Sequence, residues 1–438
     1  MLKPVHSSSL TLINPARSYK EPIVVALAMA AIGLLMVLAA KPLFGRVILM
    51  IAERLNAQGC EALEKGKFDV AIQKFTLALQ QNPNRHHQAA ILINRALAYK
   101  SKGVFDGALA DFTRALGCSP PPDILFQIYA NQGRLFDALK KDYKAAITNF
   151  NEALKVPCSD KEFRVIVLIE RARAHGSLED YEKSLADFNA AFALKSQNPM
   201  LQSKLLAFRA QMKIRVNQTE TVLEDLKDAL ACQFKDPQLR RFIYVLRGDY
   251  YSEIGDDMRA VEDYSKALLC TPYDEETYAK IVYKRGWPCL NLNRQDEALQ
   301  NFTQALNSKF SNDPFRAEIL IARARVYIAR KQFPLAASDL TRAIDLQPVD
   351  MQGFSRFLRA AVYTNLGRFS DSINDYTAVL KLRPDDNEFQ AETLDQRGLT
   401  YWANNQRDLA RADFEKALSY KPTKKGLCEK LLNQLRSF

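Results

Sequence analysis

The sequence predicts an all-α protein in which repeated helix pairs form a solenoid behind one N-terminal transmembrane helix. Two observations lead to this prediction. A motif of a small residue, an aromatic residue four positions later and an alanine three positions beyond it recurs about every 38 residues, and such periods are typical of stacked helical units. Ahead of its first copy lies a run from Pro22 to Ala40 in which no side chain is charged.

Composition agrees with a helical body. The 438 residues are 47% hydrophobic and 25% charged, with 16 glycines and 18 prolines. This is too apolar for a disordered chain and too poor in turn-forming residues for an all-β one. The net charge of +11 comes from 61 basic and 50 acidic residues that are mixed along the chain. Nucleic-acid binding requires a local basic stripe, so we expect no nucleic-acid partner.

The apolar run is long enough to cross a membrane. We predict a basic flank over residues 1–21 and a transmembrane helix over residues 22–41. A helix as long as the uncharged run spans about 28 Å, close to the roughly 30 Å hydrocarbon core of a bilayer. A cleaved signal peptide is the alternative, but its apolar core is typically only about 7 to 15 residues long. We therefore expect a retained, single-pass anchor.

The sequence does not decide on which side of the membrane the helical body lies. The Lys and Arg residues nearest the span are Lys3, Arg17 and Lys20 before it and Lys41, Arg46 and Arg54 after it. The number of Lys and Arg residues is the same on both sides, so the positive-inside rule does not predict the orientation. The segment that precedes Glu21 contains no acid and suits either a mitochondrial targeting stretch or the flank of a bacterial inner-membrane anchor. Both membranes stay open as locations.

The motif occurs ten times when three copies are included in which leucine or valine replaces at least one of the expected residue types. Its leading residues are Ala71, Ala108, Ala146, Ser184, Val222, Ala260, Ala298, Ala336, Ser372 and Ala410. A single helix pair cannot bury its apolar face, so neighbouring pairs must cover one another along the array. We predict a ten-repeat solenoid over residues 52–422 and a C-terminal capping helix over residues 423–438.

The second copy shows the full pattern of the repeat. It reads Ala96, Tyr99, Gly103, Phe105, Ala108, Phe112, Ala115, Pro120. This resembles the tetratricopeptide repeat, a helix-turn-helix unit with small and aromatic residues at fixed offsets. The resemblance implies a right-handed superhelix that binds protein partners on its concave face. The usual period is about 34 residues, and the extra residues here precede each first helix, so we expect unusually long first helices.

The resemblance also implies which side chains line the concave groove. First-helix positions that face the groove in the family are occupied here by Phe242, Val245, Tyr283, Trp287, Phe354, Phe357 and Trp402. A one-residue error in register turns a side chain by about 100° around the helix, so packing between repeats is the alternative for these residues. A clamp for a chaperone's C-terminal carboxylate is not expected, because Asn56 and Cys60 occupy its first two positions.

Comparing the ten copies with one another suggests an ion pair. Most copies carry Arg just before the small residue of the first helix and Asp at a fixed later position, in the second helix. The copies with Gln58 or Gln132 in place of this Arg lack the Asp as well, and co-varying positions suggest contact. We predict a structural ladder of Arg–Asp pairs that is not a binding site. Its rungs include Arg247 with Asp263, Arg323 with Asp339, Arg359 with Asp375 and Arg397 with Asp413.

No motif for catalysis or cofactor binding is apparent. The chain has no GxSxG, HExxH, P-loop or Rossmann pattern, and its seven cysteines are scattered without a CxxC pair. We expect no catalytic residue, metal, cofactor or small-molecule substrate. The sequence thus predicts a membrane-anchored interaction scaffold, an assembly factor or accessory subunit of a membrane-associated complex. The alternative is a membrane receptor or co-chaperone that binds client proteins transiently.

Overall fold

The computed structural model describes residue 29, residues 46–424 and residues 426–437. These residues form helices joined by turns and short loops, and no strand occurs among them. Residues 46–64 are helical and are called α1. Helices α2 to α9 follow at Phe68–Gln80, Arg85–Ser101, Phe105–Leu116, Pro122–Leu135, Tyr143–Lys155, Lys161–Ser177, Tyr181–Ala193 and Pro199–Arg215, with a π-helical turn at Phe136–Lys140.

The later helices continue the same alternation. Helices α10 to α16 lie at Val222–Ala231, Pro237–Glu253, Asp257–Leu268, Glu275–Asn291, Gln295–Asn307, Asp313–Ala329 and Phe333–Leu346. A short 3₁₀ turn at Val349–Met351 precedes α17 to α21, which lie at Gly353–Asn365, Phe369–Leu382, Asn387–Ala403, Arg407–Ser419 and Leu427–Arg436.

Side-chain caps explain where the first helices of the repeats begin. Asp160, Asp236 and Asp274 each accept a hydrogen bond from a backbone N–H in the first turn of α7, α11 and α13. Such a cap satisfies donors that the helix leaves unpaired. Most first helices, beginning with α3, are 17 residues long. Second helices are shorter, from 10 residues in α10 to 14 residues in α16, so the residues added to the usual period lengthen the first helix and supply its cap.

The chain forms two compact units, and the first extends to Gln218. In it, consecutive helices pack against each other from α2 to α9. Small residues let the paired helices approach closely. An added Cβ at Gly133 would lie 2.5 Å from the ring of Phe150, which is fully buried. The aromatic side chain therefore fills the space that a glycine or alanine on the facing helix leaves.

The second unit begins at Thr219 and repeats this packing. Consecutive helices contact each other from α10 to α21. Helix α13 runs through Pro288 without a break. Leu427 and Leu431 of α21 pack on the core that surrounds Phe414, so the C-terminal helix covers the last repeat.

The structure corrects the predicted localisation. Within the ranges described, no helix combines the length and apolarity that crossing a membrane requires. The segment on which the prediction depended, residues 22–41, lies outside the described residues apart from Met29. We therefore withdraw the assignment as a single-pass protein of a bacterial inner or mitochondrial membrane. The prediction rested on a length criterion, and length alone does not establish that an apolar run crosses a membrane.

Candidate partner-binding surface

Arginine and aspartate side chains join the two helices of most repeats. Arg247 donates from Nε to Asp263 Oδ2 at 2.6 Å and from Nη2 to Asp263 Oδ1 at 2.8 Å. Both carboxylate oxygens are thus engaged. The hydrogen bonds that Arg247 donates to Asp263 raise the pKa of Arg247, so the guanidinium stays charged. The same bidentate pair occurs between Arg95 and Asp111, Arg171 and Asp187, Arg323 and Asp339, Arg359 and Asp375, and Arg397 and Asp413.

The third guanidinium nitrogen contacts the preceding repeat, a contact that the sequence did not predict. Arg397 donates from Nη1 to Thr377 Oγ1 at 3.0 Å. Thr377 in turn donates to the carbonyl of Ile373 at 2.7 Å, so its hydroxyl is satisfied in both roles. Each such arginine therefore ties together three helices. Equivalent acceptors are Thr76, Asn151, Ser265, Thr303 and Thr341.

Four of the seven predicted groove residues pack against the hydrophobic core. Val245, Tyr283, Trp287 and Trp402 are half-buried and contact core clusters. The Tyr283 ring lies 5.4 Å from that of Phe315 in the next repeat, measured between centroids. Burial raises the pKa of the Tyr283 phenol. Phe242 is half-buried as well.

Phe354 and Phe357 lie on a different kind of surface. Phe354 is 45% exposed, and Met351, one turn earlier, is 57% exposed. Phe357, one turn later, is half-buried against Tyr376 and Phe389 at centroid distances of 5.6 and 5.4 Å. Phe354 and Phe357 share one face of α17, as residues spaced by three do, and Met351 lies in the 3₁₀ turn just before this helix. We call Met351, Phe354 and Phe357 the apolar strip.

A cavity of about 500 Å³ adjoins the strip at Phe357. We call it the C-terminal cavity, and its lining includes Glu392, Asp395, Lys424 and Lys430. Glu392 pairs with Lys424. The strip and the cavity combine apolar and charged groups from α17, α19 and the segment around α21.

Asp395 is the most unusual residue of this cavity, because it is only 2% exposed. Its Oδ2 accepts hydrogen bonds from Lys430 Nζ at 2.5 Å and Gln396 Nε2 at 2.9 Å. Its Oδ1 is buried and has no partner in the part of the chain that the structure describes. A buried polar atom without a partner is costly and calls for an explanation.

Phe354 and Phe357 were predicted from the sequence, whereas Met351 and Asp395 were not. The three-residue spacing of Met351, Phe354 and Phe357 was readable in the sequence. No sequence signal places Asp395 beside Phe357, because that proximity depends on how repeats stack. Among the residues described, no group of three or more His, Cys, Asp or Glu side chains is arranged to hold a metal ion.

Comparison with known families identifies the repeats. A profile described as tetratricopeptide repeat matches residues 355–386 and 391–424, and a second profile of that description matches residues 56–121. The matches include Phe357 of the apolar strip and most of the lining of the C-terminal cavity. They also include the first two repeats.

Relatives share only part of their length with this chain. RNA polymerase II-associated protein 3 from Rattus norvegicus is 28% identical over 134 residues, which cover 30% of this chain and 19% of the relative. Tetratricopeptide repeat protein 13 from Homo sapiens is 27% identical over 128 residues, covering 28% of this chain and 14% of the relative. The chain thus spans less than a fifth of these relatives.

Solved structures with the same type of repeat are similar at low identity. The crystal structure of a tetratricopeptide repeat protein from Parabacteroides merdae is 22% identical, with a TM-score of 0.44. The match covers 62% of this chain and 98% of that one.

Proposed function

The chain contains tetratricopeptide repeats, and we propose that it is a non-enzymatic scaffold that holds a protein partner on the apolar strip and the C-terminal cavity. Repeat proteins bind their partners on extended surfaces built from successive units. One observation supports this location above others: Phe354 is exposed on a helix whose other large apolar residues are half-buried or buried.

The strip has the chemistry of a binding hot spot. Aromatic residues contribute much of the energy of protein interfaces when a partner removes them from water. Methionine adapts to irregular partner surfaces because its side chain is unbranched and flexible. Val349, which precedes the strip, adds a further side chain that is mostly exposed. A partner's apolar residues would cover Met351 and Phe354 and extend towards Phe357.

The cavity adds polar recognition to this apolar contact. Asp395 Oδ1 lacks a donor among the described residues. The ammonium groups of Lys424 and Lys430 retain donors, since each Nζ has three and is partly exposed. A peptide or carboxamide group offers both a donor and an acceptor. Its carbonyl oxygen would accept a hydrogen bond from Lys424 or Lys430, which helps to orient the partner.

Affinity capture with matched variants tests the proposal. The tagged full chain should recover one stoichiometric partner that resists high salt, as apolar burial predicts. Phe354→Ala should weaken binding of this partner about thirtyfold or more, because a central aromatic anchor commonly contributes about 2 kcal/mol or more to binding. Leu335→Ala is the control, since Leu335 is 49% exposed on α16, outside the strip.

The same experiment distinguishes a scaffold from a transient receptor. The parent chain could instead capture many substoichiometric clients. If Phe354→Ala then lost all of them, the result would support transient client binding at the strip. Equal recovery by Phe354→Ala, Phe357→Ala and the parent chain would overturn the proposed site.

A further inference from the structure

A second cavity, of about 280 Å³, lies in the first unit between α7, α8 and α9. We call it the arginine cavity, and its lining includes Arg173, Tyr181, Phe208, Met212 and Arg215. None of these residues belongs to the apolar strip, to the C-terminal cavity or to the Arg–Asp pairs. Its first-helix residues come from α7 and α9, the first helices of two successive repeats.

The floor of the arginine cavity is apolar. The rings of Phe188 and Phe208 stack with a centroid distance of 6.2 Å and an interplanar angle of 19°. Gly176 also borders this space, and an added Cβ there would make ordinary contacts with Met212 Sδ and Ser184 Oγ at 3.5 Å. The space is bounded by aromatic and thioether groups and suits one large apolar side chain.

The rim carries two arginines on successive first helices. Arg173 and Arg215 are exposed, and within residues 46–424 and 426–437 neither pairs with a carboxylate. Arg173 lies over the Phe208 ring at 5.9 Å from its centroid. Arg134 behaves differently, since it holds Glu170 through hydrogen bonds at 2.8 and 2.9 Å. A guanidinium matches the two oxygens of a carboxylate.

The surroundings leave the rim positive. Burial raises the pKa of Glu170, although Arg134, Lys100 and Arg173 all act to lower it. Burial and then Arg134 lower the pKa of Lys100. Three cations thus surround one carboxylate, which Arg134 already binds. The exposed guanidinium groups of Arg173 and Arg215 at the rim therefore favour an incoming anion.

We infer that the arginine cavity binds an acidic segment of a partner protein. One aromatic or aliphatic side chain enters the cavity and packs on Phe188, Phe208 and Met212. Carboxylates on the flanking residues pair with Arg173 and Arg215. The inference rests on the proposed protein-binding function for its class of partner, but it uses a different surface in the other unit.

A defined peptide tests this inference on the full chain. The probe is a short fluorescein-labelled peptide in which glutamates flank a phenylalanine, and a second probe carries glutamines instead. Fluorescence anisotropy should show binding of the glutamate peptide that weakens as salt rises, because the pairs are exposed. The double variant Arg173→Gln with Arg215→Gln should weaken binding about tenfold, as two exposed ion pairs are lost.

Controls separate this inference from the proposed function. Arg85→Gln removes an exposed arginine elsewhere in the first unit and should leave peptide affinity unchanged. Phe354→Ala should leave it unchanged too, because the apolar strip is not used. Equal affinity for the glutamate and glutamine peptides, or unchanged affinity in the double variant, would overturn the inference. If the peptide binds as expected while Phe354→Ala still captures its partner, only the proposed function fails.

Discussion

At the residue scale, the arginine of each repeat connects more groups than a simple ion pair does. Arg323 binds both oxygens of Asp339 at 2.7 and 2.8 Å and reaches Thr303 in the preceding repeat at 3.3 Å. The guanidinium of Arg323 is largely buried, and a buried charge is tolerated when its donors are paired. Arg247 differs, because Lys227 lies where the other repeats supply this acceptor, and lysine cannot accept a hydrogen bond.

Removal of the aspartate should destabilise the second unit strongly. Asp339→Ala leaves Arg323 mostly buried without its carboxylate, and the loss of one partner of a buried pair costs about 3 kcal/mol. The midpoint of urea unfolding, followed by circular dichroism, measures the effect. Asp296→Ala is the matched control, because Asp296 is 94% exposed where it pairs with Arg330 and should cost less than about 1 kcal/mol. Equal losses in the two variants would show that the buried pair has no special role.

Comparison of the repeats within one chain can suggest contacts inside a repeat, but it carries no information on contacts that depend on how repeats stack. The spacing of Arg247 and Asp263 is the same in several copies, so one chain supplied its own comparison. The packing of Tyr283 and Trp287 depends on residues of the next repeat. Tyr283 contacts Phe315, and the guanidinium of Arg325 lies 5.0 Å from the Trp287 ring centroid. Nothing in the local pattern reveals that contact.

At the element scale, the long first helices depend on their caps. Asp274 accepts hydrogen bonds from the backbone N–H of Thr277 at 2.7 Å and from its hydroxyl at 2.9 Å. The N-terminus of α13 also favours a negative charge because of the helix dipole. The long repeat period predicted the long first helices. The helix ends were less predictable, because α5 ends in a π-helical turn.

The cap of α13 should make stability depend on pH. Hydrogen bonds from the backbone N–H and then the hydroxyl of Thr277 lower the pKa of Asp274 below its ordinary value of 3.8. A depressed folded-state pKa stabilises the fold above the ordinary pKa, and this contribution disappears as the pH falls through the lowered value. Asp274→Ala should therefore lower the unfolding midpoint near neutral pH, and its difference from the parent chain should shrink in acid.

Asp274→Asn provides the control for this prediction. Asparagine caps helices about as well as aspartate but does not titrate. Because neither Asn nor Ala titrates, thermal unfolding at several pH values should show a constant stability difference between these two variants, with Asp274→Asn closer to the parent chain near neutral pH. If the Asp274→Ala difference stayed constant from neutral to strongly acidic pH, the ionised cap would not be the source of the stability.

At the scale of the whole molecule, the two compact units carry surfaces of different chemistry. The first unit offers exposed arginines above an aromatic floor, and the second offers the apolar strip beside a cavity with an incompletely paired carboxylate. Both are built largely from first-helix side chains of successive repeats. The sequence period predicted such first helices. The membrane localisation derived from residues 22–41 is withdrawn, because no helix within the described ranges could span a membrane.

Binding at the apolar strip is the central claim, and site-specific photo-crosslinking tests it most directly. Phe354→p-benzoylphenylalanine, introduced in the full chain in its native cells, places the reactive group on the exposed face of α17. We expect one dominant crosslinked protein that Leu335→p-benzoylphenylalanine, on α16, does not capture. The absence of an adduct at Phe354, or the same set of adducts at both positions, would contradict the account.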